Sequence, residues 1–138
     1  MANSDPARWQ QRFSRFSKAM SALEGACLQR TYSDLERAGL IKTFEVAFEL
    51  GWKTLKDLHY YEGLDDRTPR EVRRRALATG YLDAQGAEAA LDALDKRNLL
   101  SHTYNEPVAQ AAIGFIKDSY APALRALLQR LHQRRSIS

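Results

Sequence analysis

The sequence predicts an all-α fold, an antiparallel up-and-down bundle of four main helices plus a short extra helix. Three observations carry this. Apolar residues recur at spacings of four and three, successive segments open on capping residues, and no segment alternates apolar and polar residues as a half-buried strand does. The connections are short, so consecutive long helices are expected to be antiparallel neighbours. With 138 residues, residues 1–138 are expected to form a single helical domain with a proper core.

The first helix is announced by Trp9, Phe13, Phe16, Met20, Leu23 and Cys27, which fall along one helical stripe. Ser4 or Asp5 is its expected cap, and Pro6 suits a first turn. The four-three rhythm reads as a bundle seam, within the chain or with a second copy. Ser33-Asp34-Leu35-Glu36 is a capping box, in which the serine side chain and the glutamate three residues on satisfy each other's backbone amides. The helix it opens is expected to end at Gly63, with Leu40, Ile41, Phe44, Phe48, Leu55 and Leu58 buried. Glu45, Glu49, Lys53 and Lys56 run along another side, with Glu49 and Lys53 ordered for an ion pair. Gly39 and Gly51 sit in its interior, where glycine costs about 1 kcal/mol relative to alanine; close packing of another element is the expected reason for both.

Thr68-Pro69-Arg70-Glu71 caps a third, short helix that ends near Gly80 and displays Arg70, Arg73, Arg74 and Arg75. Asp83 is the expected cap of a fourth, covering roughly 84–104. Pro107 opens a fifth, which must kink or break near Pro122 because that residue has no donor amide.

Composition narrows the function classes. Charged residues make up 28% of the chain, a globular rather than disordered balance. A single cysteine, Cys27, excludes an internal disulfide. No apolar run approaches the roughly 18 residues of a membrane span, and no signal-peptide core opens the chain, so a cytoplasmic protein without membrane contact is expected. The net charge is +4, and 15 of the 21 basic residues are arginine, which permits phosphate binding without demonstrating it. The clusters Arg70–Arg75 and Arg130–Arg135 either guide a nucleic acid or form solvated helix faces. No cysteine pair, metal-spaced histidine cluster or glycine-rich phosphate loop is present, so no metal or cofactor is expected.

Of the three histidines, His59 and His132 read as surface residues. His102 stands in richer company, within Arg97-Asn98-Leu99-Leu100-Ser101-His102-Thr103-Tyr104-Asn105. At 100° per residue, Arg97, Ser101 and Tyr104 share one narrow stripe, with Asn98 and His102 directly beside it. Counting Asn105, six polar groups occupy one side of the helix, and Leu91 and Leu94 continue that side one turn earlier. Such a face meets the bundle interior, a second subunit or solvent.

The run RNLLSHTY resembles the signature of HEPN domains, in which an arginine and a histidine are separated by four to six residues. It also fits the longer form of HEPN proteins paired with a minimal nucleotidyltransferase: Arg-Asn, three residues, His, one residue, Tyr. The stretch from Phe44 to Lys56, FEVAFELGWKTLK, resembles the second helix of the bacterial nucleotidyltransferase substrate-binding protein subfamily. Arg8-Trp9 with Phe13, Ser33 to Leu40, Pro69-Arg70-Glu71, and Tyr120 with Pro122 resemble it too, so the likeness spans almost the whole chain.

The resemblance implies a HEPN-like bundle that forms a homodimer with the arginine–histidine helices of two subunits facing each other. It implies a toxin-type, metal-independent endoribonuclease whose antitoxin is a minimal nucleotidyltransferase encoded by a neighbouring gene. Arg97, His102 and Asn98 would then be the catalytic residues and RNA the substrate. Histidine titrates near neutral pH and moves protons, while arginine holds phosphoryl charge with a two-pronged donor set. Tyr104 would be the AMP acceptor through which the partner silences the ribonuclease, with Ser101 and Asn105 as supporting polar groups. The alternative is a non-catalytic subunit that binds nucleotide or substrate for the nucleotidyltransferase. A purely structural dimer is a third reading.

Overall fold

A computed structural model describes residues 5–101 and 106–137, with the backbone alone for 98–101, 106 and 137. The described residues form helices and connecting turns, in the order α1 (Ala7–Ala26), α2 (Asp34–Tyr61), α3 (Pro69–Thr79), α4 (Ala84–Ser101), α5 (Glu106–Phe115) and α6 (Ala121–Ile137). A π turn over Ile116–Tyr120 joins α5 to α6. The bundle therefore has four long rods, α1, α2, α4 and α5–α6, with α3 as the short extra helix.

Local chemistry sets the boundaries. The Asp5 carboxylate accepts from the Ala7 amide at 3.0 Å, while Ser4 lies outside the described residues. At α2 the capping box is complete: the Glu36 amide donates to the Ser33 hydroxyl and the Ser33 amide to the Glu36 carboxylate. The chain leaves α2 through Gly63 and α3 through Gly80, both in the left-handed region where a β-carbon is penalised. The Thr68 hydroxyl accepts from the Glu71 amide, with Pro69 next in the first turn. The Asp83 carboxylate accepts from the Gly86 amide at 2.7 Å. The break expected at Pro122 takes the form of the π turn just before it: the Ala121 amide reaches back five residues to the Ile116 carbonyl.

Contacts along the rods give their directions. Arg8 and Arg12 meet Asp57, and Phe16 meets Gly51, so α1 and α2 run oppositely. Tyr120 meets Asp92 and Arg130 meets Asp83, which sets α6 against α4. Glu62 meets Arg134 and Gly51 meets Leu124, so α2 and α6 run the same way, as the diagonal of an up-and-down bundle should.

The core gathers Trp9, Phe13, Phe16, Met20 and Leu23 of α1 with Leu40, Phe44, Leu55 and Leu58 of α2 and the leucines of α6. On α4 the inward residues are small, Gly86, Ala87, Ala89 and Ala93. They leave an apolar cavity of about 40 Å³, bounded by Phe48, Trp52 and Leu55 of α2, Val72 of α3, and Tyr120 and Leu124.

Two expectations need correction. Gly51 does sit under close packing, since a β-carbon there would lie 3.2 Å from Phe16 and 3.3 Å from Leu124. Gly39 does not: nothing lies within 4 Å of such an atom, so no approach explains it. His59 is not a surface residue. It is fully buried, its Nδ1 donating to Asp66 at 2.6 Å, because the turn at Gly63 folds Asp66 back over the end of α2. Asp66 is also held by Arg75 at 3.0 Å, and burial lowers the His59 pKa despite the carboxylate. His132 is exposed, as expected, and stacks on Phe13.

Candidate functional site

Arg97, Asn98 and Ser101 all lie in the last two turns of α4. The Arg97 side chain is exposed. His102, Tyr104 and Asn105 lie outside the described residues, so the structure brings together only the arginine end of the predicted constellation. The expected fourth helix is described to Ser101 rather than 104.

Around Arg97 the structure adds partners that the motif does not contain. Ala93 and Leu94, one turn before it, line the cavity opposite Phe48 and Trp52 of α2. This places Arg97 beside the Glu49 row. Glu49 accepts from the Lys53 ammonium at 2.9 Å and from the Trp52 indole N–H at 2.9 Å. Partial burial pushes the Glu49 pKa up, but those two bonds and the charges of Lys53 and Arg97 outweigh it, so the carboxyl titrates below its ordinary value. The carboxylate is thus fixed in its charged form between two cations and an indole.

A second cluster buttresses the same helix. Tyr120, buried at the π turn, donates its hydroxyl to Asp92 at 2.5 Å. Lys96 donates to the same carboxylate at 3.0 Å, and its ammonium stands 3.9 Å above the Phe115 ring. Burial first, and then Asp92, raise the Tyr120 pKa, while the Tyr120 bond and Lys96 lower that of Asp92. The residue before Arg97 is therefore locked by a carboxylate and a ring from the neighbouring rod. The i,i+4 spacing of Asp92 and Lys96 was the available sequence signal for this cluster. No short-range spacing signals the Glu49–Arg97 approach.

The arginine clusters resolve differently. Arg70 pairs with Asp95, Arg75 with Asp66, Arg130 with Asp83 and Arg134 with Glu62. These cations are spent on intramolecular carboxylates, most of them distant in sequence. Among the described residues, no group of three or more His, Cys, Asp and Glu side chains is placed to hold a metal ion. No described helix is long and apolar enough to cross a membrane.

The sequence profile of the family described as nucleotidyltransferase substrate binding protein like matches residues 11–133, nearly the whole chain and all of the RNLLSHTY run. The chain belongs to this family. The nucleotidyltransferase substrate-binding-protein-like family is part of the HEPN-type superfamily, in agreement with the resemblance carried by that run. A crystal structure of a Thermus thermophilus protein is similar, with 37% identity and a TM-score of 0.77. The match covers 84% of this chain and 98% of the Thermus chain. No curated protein matches.

Proposed function

We propose that this chain is the toxin-type, metal-independent endoribonuclease of a pair whose other member is a minimal nucleotidyltransferase encoded by a neighbouring gene. The observation that carries the reading is the family match over the Arg97–Tyr104 run, supported by the exposure of Arg97 at the end of α4. In this reading Arg97 binds the scissile phosphate and stabilises its developing charge. His102 moves a proton at the ribose 2′-hydroxyl or the leaving oxygen, and Asn98 orients phosphate or imidazole. Ser101 and Asn105 complete the polar face. A homodimer that apposes two α4 ends brings two arginine–histidine sets to one RNA.

The family's description favours a second reading, a non-catalytic subunit that presents nucleotide or substrate to the nucleotidyltransferase. One experiment separates them. Purified protein is incubated with RNA in EDTA beside the Arg97→Ala and His102→Ala variants. The ribonuclease reading expects cleavage by the parent and a loss of at least a hundredfold in each variant. Equal cleavage by the variants removes the assignment, and no cleavage together with a stable nucleotidyltransferase complex installs the second reading.

A further inference from the structure

Away from the partly neutralised arginine clusters, one face of the molecule keeps a surplus of positive charge. On α1, Arg8, Arg12 and Arg15 recur at spacings of four and three and so share a stripe. On α2, Lys53, Lys56 and Tyr60 do the same, one turn along from the Glu49–Arg97 corner. The buried Asp57 holds the two stripes side by side, its oxygens 3.6 Å from Arg8 and 3.4 Å from Arg12. Arg15 and Lys56 have no carboxylate partner among the described residues. Among the described residues, with Arg97, this face sets six cations against three carboxylates, Asp57, Glu49 and Glu45.

We infer that the α1–α2 face is a track for single-stranded RNA, running from Arg8 and Arg12 past Lys56 and Tyr60 to Arg97. This rests on the ribonuclease reading for the destination of the track, though not for the binding itself. Rows of cations with an exposed aromatic among them suit a phosphate backbone with a base stacked beside it. A protein partner is the poorer fit, because the buried centres of such interfaces are depleted of charged residues as a group, whereas this face is charged along its whole length. The most exposed leucines, Leu28 and Leu35, lie at the opposite end of α1 and the start of α2. The track also differs from the one the sequence suggests, because Arg70, Arg75, Arg130 and Arg134, four of the seven arginines in the two clusters, pair with carboxylates within the fold.

The test measures binding of a short labelled oligouridylate by fluorescence anisotropy across a salt series, in a His102→Ala background that keeps the probe whole. The Arg15→Gln/Lys56→Gln double variant is expected to bind at least tenfold more weakly. Its log–log salt slope should be shallower by about 1.4, roughly 0.7 for each phosphate that no longer meets a cation. The Arg67→Gln/Arg74→Gln control, which removes the same charge from the α3 side, is expected to change affinity less than twofold. Equal weakening in both double variants overturns the track, as does an unaltered slope or an absence of RNA binding by the parent. Weakened nucleotidyltransferase binding with RNA affinity intact also overturns it, in favour of an acidic protein partner. Tight, track-dependent binding by a protein that cuts no RNA upholds the track and removes the ribonuclease reading alone.

Discussion

The Tyr120 hydroxyl rests 2.5 Å from the Asp92 carboxylate, so the π turn between α5 and α6 is fastened to the helix that carries Arg97. The same carboxylate holds Lys96, next to Arg97 in sequence. Removing the hydroxyl leaves Asp92 with Lys96 and solvent but breaks the link between rods. Tyr120→Phe is expected to lower stability by about 1.5–3 kcal/mol, the range for a bond to a charged acceptor. Urea denaturation checks this, and a midpoint equal to that of the parent would show that the link carries no weight.

The two interior glycines of α2 are expected to respond with opposite signs. A β-carbon at Gly39 meets open space, so Gly39→Ala gains helix propensity, about 1 kcal/mol. At Gly51 the new methyl presses on Phe16, fully buried, and on Leu124, nearly so. Neither has room to withdraw, and overpacking of this kind costs about 1–3 kcal/mol. Thermal melts should place Gly39→Ala above the parent and Gly51→Ala below it. A Gly51→Ala protein as stable as Gly39→Ala would refute the packing argument.

His59 makes stability depend on pH. Its folded pKa is lowered from 6.5, first by burial, with Asp66 opposing. Above that value the neutral imidazole suits its site. As pH falls below 6.5 the unfolded chain gains a proton that the folded chain resists, so stability declines down to the folded pKa. Urea midpoints measured from about pH 8 to about pH 5 should fall for the parent. In His59→Gln they should start lower and vary less over that range; parallel curves would exclude His59 as the source.

Tyr104, as the proposed AMP acceptor, has a direct readout. Incubation with the proposed nucleotidyltransferase partner and ATP should transfer one AMP group to the parent, releasing pyrophosphate, and add no mass to Tyr104→Phe. The modified parent should lose RNA cleavage, because added bulk and negative charge in the proposed site oppose a phosphate substrate. A mass gain in both proteins would move the acceptor elsewhere.

Legibility in the sequence follows the range of the interaction. Ser33 with Glu36, Thr68 with Glu71, Asp83 with Gly86 and Glu49 with Lys53 all act within about one turn, and each stands where its spacing puts it. The Pro122 break is legible for the same reason, since a missing amide is a local fact. His59 reads wrongly as a surface residue because its partner, Asp66, arrives only after the chain reverses through Gly63. The basic clusters are ambiguous in sequence because their carboxylates lie on other elements: Arg70 with Asp95, Arg134 with Glu62. At the candidate site, the polar run from Arg97 is visible at once, whereas its approach to Glu49 depends on how α4 leans on α2.

The π turn also acts as a phase shifter. One extra residue in the Ile116–Tyr120 loop offsets the helical lattice by about 100°. The residues before it, Ala112 and Ile113, are thereby aimed independently of Leu124, Leu127 and Leu131 after it, and all of them reach the core. Deleting a single residue there would remove the offset and rotate the whole leucine stripe of α6 away from α1, with Pro122 still unable to donate within the helix. A chain shortened by that one residue would be a different bundle.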